Sequence, residues 1–473
     1  MKILYVGGEA LPFASTGGLG EVMSALPAAV SKADPEADVR AVMPLYSSIP
    51  AQYREKMVKV DEFNLYLSWR CQYCGVWKLV KDGVIWYFID NEYYFKRDRI
   101  YGYYDDGERF AYFSMAVLEM MSHIGFYPDI LHANDWQAAL SIIYLRLKYR
   151  YDAIRTVYTI HNIEYQGIYG REVLGDLFGI NDEDFGVLEF NGCIDLTKGA
   201  IVCCDRLTTV SERYSEEIKT PDYAHGLDRI ISDYGYKTTG IVNGIDYGYY
   251  DPKNKDDLLG GAYSAVYRTF TGKASNKEAL QKYLGLPVRS DAPVVSMITR
   301  LASHKGLDIV KGALEDFLQQ NVQFVILGTG EKEYENYFIY LKEKYPDKVA
   351  SCIKFDKQLS KWIYAGSDIF LMPSKSEPCG LSQMIASRYG TIPLVRETGG
   401  LADTIKAYNP MTGKGNGVTF VDYNSHELLR ALTRAADIWY NESDRKKLIK
   451  NAMKMDFTWS ASAARYIELY KEL

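Results

Sequence analysis

Three charged residues in the second half of the chain lie where predicted strands give way to predicted helices. Arg300 ends one strand, Lys305 opens the next helix, and Glu377 lies in the segment before a third helix. The helix dipole disfavours cations at a helix N-terminus, so a bound anion explains them better than a solvated helix start. Two cations at this position suit a diphosphate whose charge rises as it leaves. Glu377 could accept a hydrogen bond from a sugar hydroxyl, or it could simply cap its helix.

Two glycine-rich turns of similar sequence follow strands in the two halves. The first is Thr16-Gly-Gly-Leu-Gly-Glu21 and the second is Thr398-Gly-Gly-Leu-Ala-Asp403. Glycines let the backbone approach a ligand closely, and the helix N-terminus that follows favours phosphate. A tight turn without a ligand is the alternative, but the repetition favours phosphate binding.

Two of the six histidines fall at the carboxyl ends of predicted strands, in His132-Ala-Asn-Asp135-Trp and His161-Asn162. A single histidine usually has a structural role. Two at equivalent positions favour a functional one.

The elements that must position these residues alternate short β-branched runs with amphipathic stretches, which is typical of parallel α/β layers. In the first half we predict strands at Ile3–Val6, Val39–Met43, Ile85–Ile89, Ile130–His132 and Thr156–Ile160, helices at Met23–Ser31, Arg109–His123 and Trp136–Tyr149, and an antiparallel insertion around Leu65–Val80. In the second half we predict strands at Val294–Ile298, Val322–Leu327, Ala350–Lys354, Ile369–Met372 and Pro393–Val395, with helices at Gly306–Leu318, Gly380–Tyr389 and Ser460–Leu473.

This pattern predicts two Rossmann-like domains joined near Asn243-Gly244, where Asn-Gly marks a turn. Open parallel sheets bind ligands beyond the carboxyl ends of their strands, so two sheets facing a cleft would place the chemistry there.

Composition argues against several other classes of protein. The 473 residues carry 55 Lys+Arg and 61 Asp+Glu, with no basic run that would follow a nucleic acid backbone. No apolar run reaches the ~18 residues of a membrane span, and the chain begins directly with a predicted strand. The seven cysteines are scattered; Cys71-x-x-Cys74 could begin a zinc site, but no second pair at ligand spacing follows. We therefore expect no metal, no membrane and a reducing cytoplasm.

Together these segments resemble the family of bacterial glycogen synthases and plant starch synthases over nearly the whole chain. The matching motifs are the Gly17-Gly18-Leu turn, His132-Ala-Asn-Asp135-Trp, His161-Asn162, Thr209-Val-Ser211, Asn243-Gly-Ile-Asp246, Arg300-x4-Lys305-Gly, Leu327-Gly328-Thr-Gly-Glu331, Pro373-Ser-x-x-Glu377-Pro-Cys-Gly-Leu and Thr398-Gly-Gly-Leu-Ala-Asp403.

The resemblance implies a GT-B fold in which two Rossmann-like domains face a cleft. Residues 1–242, joined by a C-terminal helix at 456–473, would form the acceptor-side domain, and residues 243–455 the nucleotide-sugar domain. It implies a retaining enzyme that transfers glucose from ADP-glucose to the non-reducing end of an α-1,4-glucan, with no metal and no cofactor besides the sugar nucleotide.

The resemblance also implies a role for individual residues. Arg300 and Lys305 would hold the diphosphate, and Glu377 would orient the donor glucose. His161 would lie beside the 6-hydroxyl of that glucose, and Asp135 near the acceptor. The implied donor-binding set is Ser15, Gly17, Gly18, Asn162, Asn243, Gly328, Phe355, Cys379, Gly380, Leu381, Thr398, Gly399 and Gly400.

Three positions depart from the family pattern. Glu21 replaces the usual aspartate and keeps its charge. Ser15 stands where the family usually has a lysine, and the missing ammonium should weaken donor binding or lower the rate. Lys357 replaces an acid after the aromatic Phe355. The alternatives are a catalytically weak glucan-binding paralogue and a related GT-B transferase that uses UDP-glucose or another acceptor. A nicotinamide-dependent oxidoreductase is disfavoured, because neither half contains a Gly-x-Gly-x-x-Gly turn.

Overall fold

The computed structural model describes residues 1–264 and 271–473, which form two compact units. Unit 1 comprises Met1–Asn243 together with Trp459–Leu473, and unit 2 comprises Gly244–Thr458. The sequence-based boundaries were 242/243 and 455/456, so the structure assigns Asn243 to unit 1 and three further residues, 456–458, to unit 2.

Unit 1 is built on a large sheet and a small one. Its strands are β1 (Lys2–Val6), β2 (Asp38–Pro44), β3 (Val58–Leu67), β4 (Arg70–Lys81), β5 (Val84–Asp90), β6 (Ile130–Asn134), β7 (Arg155–Ile160), β8 (Ile168–Gly170), β9 (Glu189–Phe190), β10 (Cys193–Asp195), β11 (Arg206–Thr209) and β12 (Thr238–Gly240). The nine-stranded sheet has the order β12-β11-β7-β6-β1-β2-β5-β4-β3 and is parallel from β12 to β5. Residues Ile3–Val6 of the central β1 are fully buried, as expected for a parallel strand covered on both faces.

The helices of unit 1 connect these strands. They are α1 (Gly18–Ala33), α2 (Ala51–Arg54), α3 (Glu92–Phe95), α4 (Asp106–His123), α5 (Trp136–Tyr144), α6 (Val173–Asp176), α7 (Phe185–Leu188), α8 (Leu196–Cys203), α9 (Glu212–Glu217) and α10 (Asp228–Asp233). The predicted helix Trp136–Tyr149 is α-helical only to Tyr144, and a π-helical turn at Leu145–Tyr149 completes it.

The predicted antiparallel insertion around Leu65–Val80 is the hairpin of β3 and β4, which begins earlier, at Val58. β4 pairs antiparallel with β5 along its C-terminal half, from Gly75 opposite Asp90 to Lys81 opposite Val84. The hairpin therefore extends the main sheet. The sequence could not show this, because the pairing partner of a strand is set by tertiary contacts.

Unit 2 contains one parallel sheet of six strands in the order β15-β14-β13-β16-β17-β18. The strands are β13 (Val294–Ile298), β14 (Gln323–Leu327), β15 (Val349–Cys352), β16 (Ile369–Met372), β17 (Ile392–Arg396) and β18 (Val418–Phe420). The helices are α11 (Thr271–Leu284), α12 (Leu307–Phe317), α13 (Lys332–Lys344), α14 (Lys357–Gly366), α15 (Ser382–Arg388), α16 (Gly399–Thr404), α17 (Ser425–Tyr440) and α18 (Glu442–Lys454).

The last helix, α19 (Trp459–Lys471), packs within unit 1. The hydroxyl of Tyr470 lies 2.7 Å from Nδ1 of His132 and 2.8 Å from the hydroxyl of Tyr5. Ser462 donates to the carbonyl oxygen of Val242 over 2.6 Å. Polar contacts thus hold this helix against β1, β6 and the end of unit 1.

No helix within the described ranges is both long and apolar enough to cross a membrane.

Candidate active site

Arg300 lies two residues beyond β13, at the carboxyl edge of the sheet in unit 2. Its side chain is exposed, and its guanidinium has no hydrogen-bond or ion-pair partner among residues 1–264 and 271–473. Its backbone, by contrast, is enclosed: a Cβ atom at Gly328 would collide with the carbonyl oxygen of Thr299, and one at Gly330 with that of Leu301. The glycines after β14 let that turn run against the Arg300 backbone. The Arg300 backbone is therefore held in place, while its guanidinium remains available to a ligand.

Lys305 lies in a 3₁₀ turn, Ser303–Lys305, immediately before α12. The prediction that it opens the helix is wrong by two residues, because Gly306 has φ 77° and separates the 3₁₀ turn from α12, which begins at Leu307. A Cβ atom at Gly306 would collide with the carbonyl oxygen of Pro373, so glycine lets this turn meet the Pro373 segment.

That contact pairs Lys305 with Glu377. The Lys305 ammonium donates to both carboxylate oxygens, over 2.8 and 3.0 Å, and the Ser374 hydroxyl donates to one of them over 2.9 Å. Glu377 is 8% exposed, so its carboxylate is almost entirely enclosed by these partners. Two of the predicted catalytic side chains thus form one ion pair, which orders both without a substrate.

The Thr398–Gly400 turn packs against the segment that carries Glu377. The Gly400 amide donates to the carbonyl oxygens of Glu377 and Pro378, over 3.2 and 3.1 Å. Cβ atoms at Gly399 and Gly400 would collide with the carbonyl oxygens of Glu377 and Cys379. The two glycines are therefore needed for a close contact between loops, and the Gly400 amide already has acceptors within the protein.

Residues Cys379, Gly380 and Leu381 lead into α15, which begins at Ser382. Gly380 has φ 70°, and the Gln383 amide donates to the carbonyl oxygens of Cys379 and Gly380 over 3.1 and 2.9 Å. Within the described chain, the backbone N–H groups of Gly380 and Leu381 have no acceptor. They remain available to an oxygen-rich ligand.

Phe355 follows β15 and is 82% exposed. The next residue, Asp356, accepts a hydrogen bond from the Leu359 amide over 2.9 Å and caps α14. The Phe355 ring therefore follows directly on the sheet and has a face open for stacking.

In unit 1, the glycine-rich turn between β1 and α1 is organised by Glu9, which the sequence analysis did not single out. The Thr16 amide and hydroxyl donate to one carboxylate oxygen over 2.7 and 2.8 Å, and the Gly20 amide donates to the other over 3.0 Å. The predicted donor-binding residues Gly17 and Gly18 are exposed at the tip of the turn.

Ser15 supports the same turn from within. Its hydroxyl donates to the carbonyl oxygen of Gly17 over 3.2 Å, and it occupies the space that a Cβ atom at Gly20 would need. The serine therefore has a local structural role and brings no positive charge.

Asp135 and His161 meet at the carboxyl ends of β6 and β7. The backbone amide of His161 donates to the Asp135 carboxylate over 2.7 Å. Burial raises the pKa of Asp135 to about 7, although amide hydrogen bonds from His161 and Asn162 lower it; the nearby charge of Glu9 raises the pKa further. Asp135 also has φ 56° and ψ 177°, a backbone conformation that residues other than glycine rarely adopt.

The His161 ring is neutral and oriented. Burial lowers its pKa to about 3. Nε2 lies 2.9 Å from the side-chain oxygen of Asn134, whose amide group donates to the carbonyl oxygens of Val6 and His132. We therefore assign the proton to Nε2, which leaves Nδ1 as an acceptor.

The structure does not place His132 in this group, and the prediction of a functional pair of histidines is wrong. β6 continues two residues beyond the predicted end, and His132 lies within it, fully buried between Tyr470 and the Thr159 hydroxyl, 2.6 Å from Nε2. Its role is to anchor α19.

Two further predicted residues occupy separate positions. The Asn162 side-chain oxygen accepts from the Glu164 amide over 3.0 Å, which shapes the turn after β7. Asn243 is 6% exposed at the end of unit 1, and its side-chain oxygen has no partner among the described residues.

Sequence reasoning missed Glu9, Asn134 and Ser374 as parts of the site. Asn134 and Ser374 lie within the motifs His132-Ala-Asn-Asp135-Trp and Pro373-Ser-x-x-Glu377. A polar residue inside such a motif could have been predicted as a hydrogen-bond partner of a catalytic side chain. For Glu9, the only signal in the sequence was an acidic residue three positions after the predicted strand Ile3–Val6. The described residues contain no cluster of three or more His, Cys, Asp or Glu that could hold a metal ion.

Comparison with known proteins identifies the family. Residues 2–233 match the model of the starch synthase catalytic domain, and residues 285–455 match that of glycosyl transferases group 1. A glycogen synthase of Bacillus cereus (strain B4264) is 46% identical over 479 aligned residues, with the whole of both chains covered. The chain belongs to the glycogen and starch synthase family. A glycogen synthase of Desulforamulus reducens is likewise 46% identical, covering 100% of this chain and 99% of its own.

Solved structures agree with this membership. The catalytic domain of starch synthase IV from Arabidopsis thaliana, bound to ADP and acarbose, has a TM-score of 0.88 and 32% identity, and the match covers 99% of this chain and 98% of that one. A sucrose-phosphate synthase from Thermosynechococcus elongatus, at 16% identity and a TM-score of 0.62 with 100% and 98% of the chains covered, shares the fold alone. This member of the glycogen and starch synthase family therefore has the GT-B fold and is a hexosyltransferase with the function of a glycogen synthase.

Proposed function

We propose that this glycogen synthase transfers glucose from ADP-glucose to the non-reducing end of an α-1,4-glucan with retention of configuration. The related starch synthase IV is described as bound to ADP and acarbose, which supports an adenine nucleotide donor and a glucan-like acceptor. The donor needs no metal or other cofactor in this scheme. Free thiols at all seven cysteines suit a reducing cytoplasm, where we place the reaction.

The observation that carries the proposal is the Arg300 guanidinium, which has no partner among the described residues and follows β13. The Lys305–Glu377 ion pair lies at the same carboxyl edge, because Glu377 follows the adjacent parallel strand β16. Arg300 is exposed and has no protein partner in the described ranges, so an incoming anion finds it available. A departing diphosphate gains negative charge in the transition state, and a fixed cation stabilises that charge without reorganisation.

The remaining groups of unit 2 bind different parts of the sugar nucleotide. Phe355 offers an exposed ring to the base, and the amides of Gly380 and Leu381 offer donors to oxygen atoms of the sugar or phosphate. The Glu377 carboxylate, held by Lys305 and Ser374, accepts hydrogen bonds from hydroxyls of the donor glucose.

In unit 1, Asp135 and His161 act on the sugar hydroxyls. The neutral His161 ring accepts a hydrogen bond at Nδ1, and the ionised Asp135 carboxylate accepts one from the acceptor. During transfer, the bond between the anomeric carbon and the phosphate oxygen breaks and a bond to the acceptor oxygen forms. The acceptor proton passes to the departing phosphate oxygen, so the protein contributes electrostatics and orientation.

The test measures glucose transfer to glycogen from ADP-glucose and from UDP-glucose in parallel. We expect the wild type to prefer ADP-glucose, and Arg300→Ala to lower kcat by about 10²–10³-fold, the usual effect of removing one stabilising group from a transition state. Arg289→Ala is the matched control, because Arg289 is an exposed arginine that pairs only locally with Asp291. Preference for UDP-glucose would overturn the donor assignment, and an active Arg300→Ala enzyme would overturn the role of Arg300.

A further inference from the structure

Glu9 is a buried carboxylate without a basic partner in the described part of the chain. It follows β1 by three residues and is 2% exposed. Its oxygens accept hydrogen bonds from the two amides and one hydroxyl of the Thr16–Gly20 turn, and from no lysine or arginine within the described ranges. Burying a charge is costly unless it is fully hydrogen-bonded, so its retention here requires the surrounding turn to stay in this geometry.

Besides Glu9, two weaker constraints act on the turn: the Ser15 hydroxyl donates to the carbonyl oxygen of Gly17, and the Leu11 amide donates to that of Gly20. Gly17 and Gly18 are exposed, and the nearest atom to a Cβ built at Gly17 is a Glu9 oxygen at 3.8 Å, while a Cβ at Gly18 would meet nothing within 4 Å. Glycines of this kind populate many conformations, so fixing them costs conformational entropy that must be offset by contacts at their flanks. Thr16 and Gly20 flank them, and both are bound to Glu9.

The carboxylate also complements the start of α1, a 16-residue helix whose N-terminus carries partial positive charge. The Ncap residue is Gly17, which has no side chain to cap the helix. Glu9 supplies the missing acceptor for the Gly20 amide from a distant position in the chain.

We propose that Glu9 is a positioning residue for glucosyl transfer: its carboxylate fixes the Thr16–Gly20 turn in the shape that meets the donor, and its negative charge acts on the neighbouring Asp135. The inference rests on the proposed function, in which this turn contacts the sugar nucleotide and Asp135 contacts the acceptor. Glu9 acts through these residues and does not itself touch the reacting atoms.

The sheet topology supports the second part of the proposal: Glu9 follows β1 and Asp135 follows β6, and these adjacent parallel strands end at the same edge of the sheet. The negative charge of Glu9 raises the pKa of Asp135, in addition to the larger effect of burial. The other titratable groups whose charges couple to Asp135, or whose amides bond to it, are His161 after β7, Tyr158 in β7, Tyr214 in α9 and Tyr101 before α4. The tyrosines stay protonated at neutral pH because burial raises the pKa of each. Burial lowers the pKa of His161 to about 3, so its ring is neutral at the pH of the reaction. Glu9 is therefore the group in this set that carries a charge which a substitution can remove.

Glu9→Gln is the primary test, with kcat and the KM for ADP-glucose measured from pH 5.5 to 9 at saturating glycogen. Glutamine keeps the size but offers one acceptor oxygen in place of two, so one flank of the turn loses its partner. We expect the KM for ADP-glucose to rise about tenfold or more, and the acidic limb of the kcat profile to move to lower pH because Asp135 ionises more easily. Glu9→Asp should recover part of the KM, and Glu36→Gln, an exposed acid beyond the other end of α1, should change neither quantity.

A second pair of variants tests the turn without touching the buried charge. Thr16→Val removes the hydroxyl that donates to Glu9 and keeps the amide bond, and Thr16→Ser restores a hydroxyl. We expect the KM for ADP-glucose to rise about threefold in Thr16→Val and to return toward the wild-type value in Thr16→Ser. These variants keep the test valid if Glu9→Gln fails to fold.

The inference is overturned if Glu9→Gln and Thr16→Val lower only the thermal midpoint and leave KM and the pH profile at wild-type values. That outcome would make Glu9 a purely structural residue. A wild type that transfers glucose from neither nucleotide would instead refute the proposed function. The positioning role would then be judged by ADP binding in calorimetry, where unchanged affinity in Glu9→Gln would refute it as well.

Discussion

At the scale of single residues, the ionisation of Asp135 should limit activity in acid. Burial raises its pKa to about 7, and the ionised form is the stronger acceptor of a hydrogen bond from a sugar hydroxyl because it carries a full negative charge. As pH falls through this value the carboxylate becomes protonated, so we expect kcat to fall by about tenfold per pH unit below pH 6. The measurement is a pH–rate profile at saturating substrates.

Asp135→Asn should remove this acidic limb and lower kcat by about 10²-fold or more, in the range of losses seen for groups that act on protons or charge in the transition state. Asp152→Asn is the control, because that carboxylate is 89% exposed. A wild-type profile that stays flat down to pH 5 would show that Asp135 is not required in its ionised form.

Lys273 gives a second residue-scale prediction, concerning stability. Its ammonium is buried in unit 2, where it donates to the carbonyl oxygens of Ala365 and Tyr389 over 3.1 and 3.2 Å and to the Thr391 hydroxyl over 2.8 Å. Burial lowers its pKa from 10.5 to about 7. Between these values the unfolded chain binds a proton that the folded chain has released, so this group makes the free energy of unfolding rise with pH.

Denaturant unfolding at pH 7 and pH 9 measures this effect. We expect the wild type to gain stability over this interval relative to Lys273→Met, which lacks the titrating group. Equal changes in both proteins would mean that Lys273 keeps its ordinary pKa in the folded state.

At the scale of elements, Gly306 joins the 3₁₀ turn of Lys305 to α12 and contacts the segment that carries Glu377. Gly306→Ala adds a Cβ atom at a φ of 77°, and this atom would collide with the Pro373 carbonyl oxygen. We expect a loss of stability greater than the ~1 kcal/mol typical of alanine in a left-handed position, and a fall in kcat because the Lys305–Glu377 pair is pushed apart.

Gly285→Ala separates these two effects in thermal melts and kinetics. Gly285 also has a positive φ, of 72°, but an added Cβ atom would meet nothing within 4 Å. This control should show the backbone strain alone, with kcat unchanged. Equal losses in the two variants would contradict the role of the close contact at Gly306.

The elements also show how far sequence reasoning reaches. The bounds of Val294–Ile298 and Ile369–Met372 were predicted as the structure has them, because buried parallel strands are short continuous apolar runs between turns. The short edge strands β12 and β18, of three residues each, were missed because they have no such run.

The site residues likewise separate into those that local sequence predicts and those that depend on tertiary contacts. Arg300, Lys305 and Glu377 stood out because a charge at a strand or helix end is visible in the sequence. Glu9 did not, since its partners lie seven and eleven residues further along the chain and only the folded turn brings them to its oxygens. His132 was misassigned for a similar reason: its partner Tyr470 is 338 residues away.

At the scale of the whole molecule, the C-terminal helix contributes to the stability of unit 1. The Tyr470 hydroxyl contacts both His132 and Tyr5 in a fully buried environment. We expect Tyr470→Phe to lower the free energy of unfolding by about 1–3 kcal/mol, because it leaves buried polar groups without a partner. Tyr236→Phe is the control, since Tyr236 is 82% exposed.

Thermal unfolding followed by aromatic circular dichroism measures both variants. The deficit of Tyr470→Phe should appear in the transition of unit 1, and an unchanged melting curve would show that packing alone holds α19 in place.

The placement of α19 has a consequence for how the chain is made. Ribosomes deliver the N-terminus first, and domains generally fold as they emerge. Unit 2 is one continuous segment and is complete once Thr458 has emerged, whereas unit 1 still lacks residues 459–473. During synthesis the nascent unit 1 therefore exposes the sheet face around Tyr5 and His132 until residues 459–473 have emerged. The half of the enzyme that is made first is therefore the later one to finish folding, and the emergence of α19 is the event that completes it.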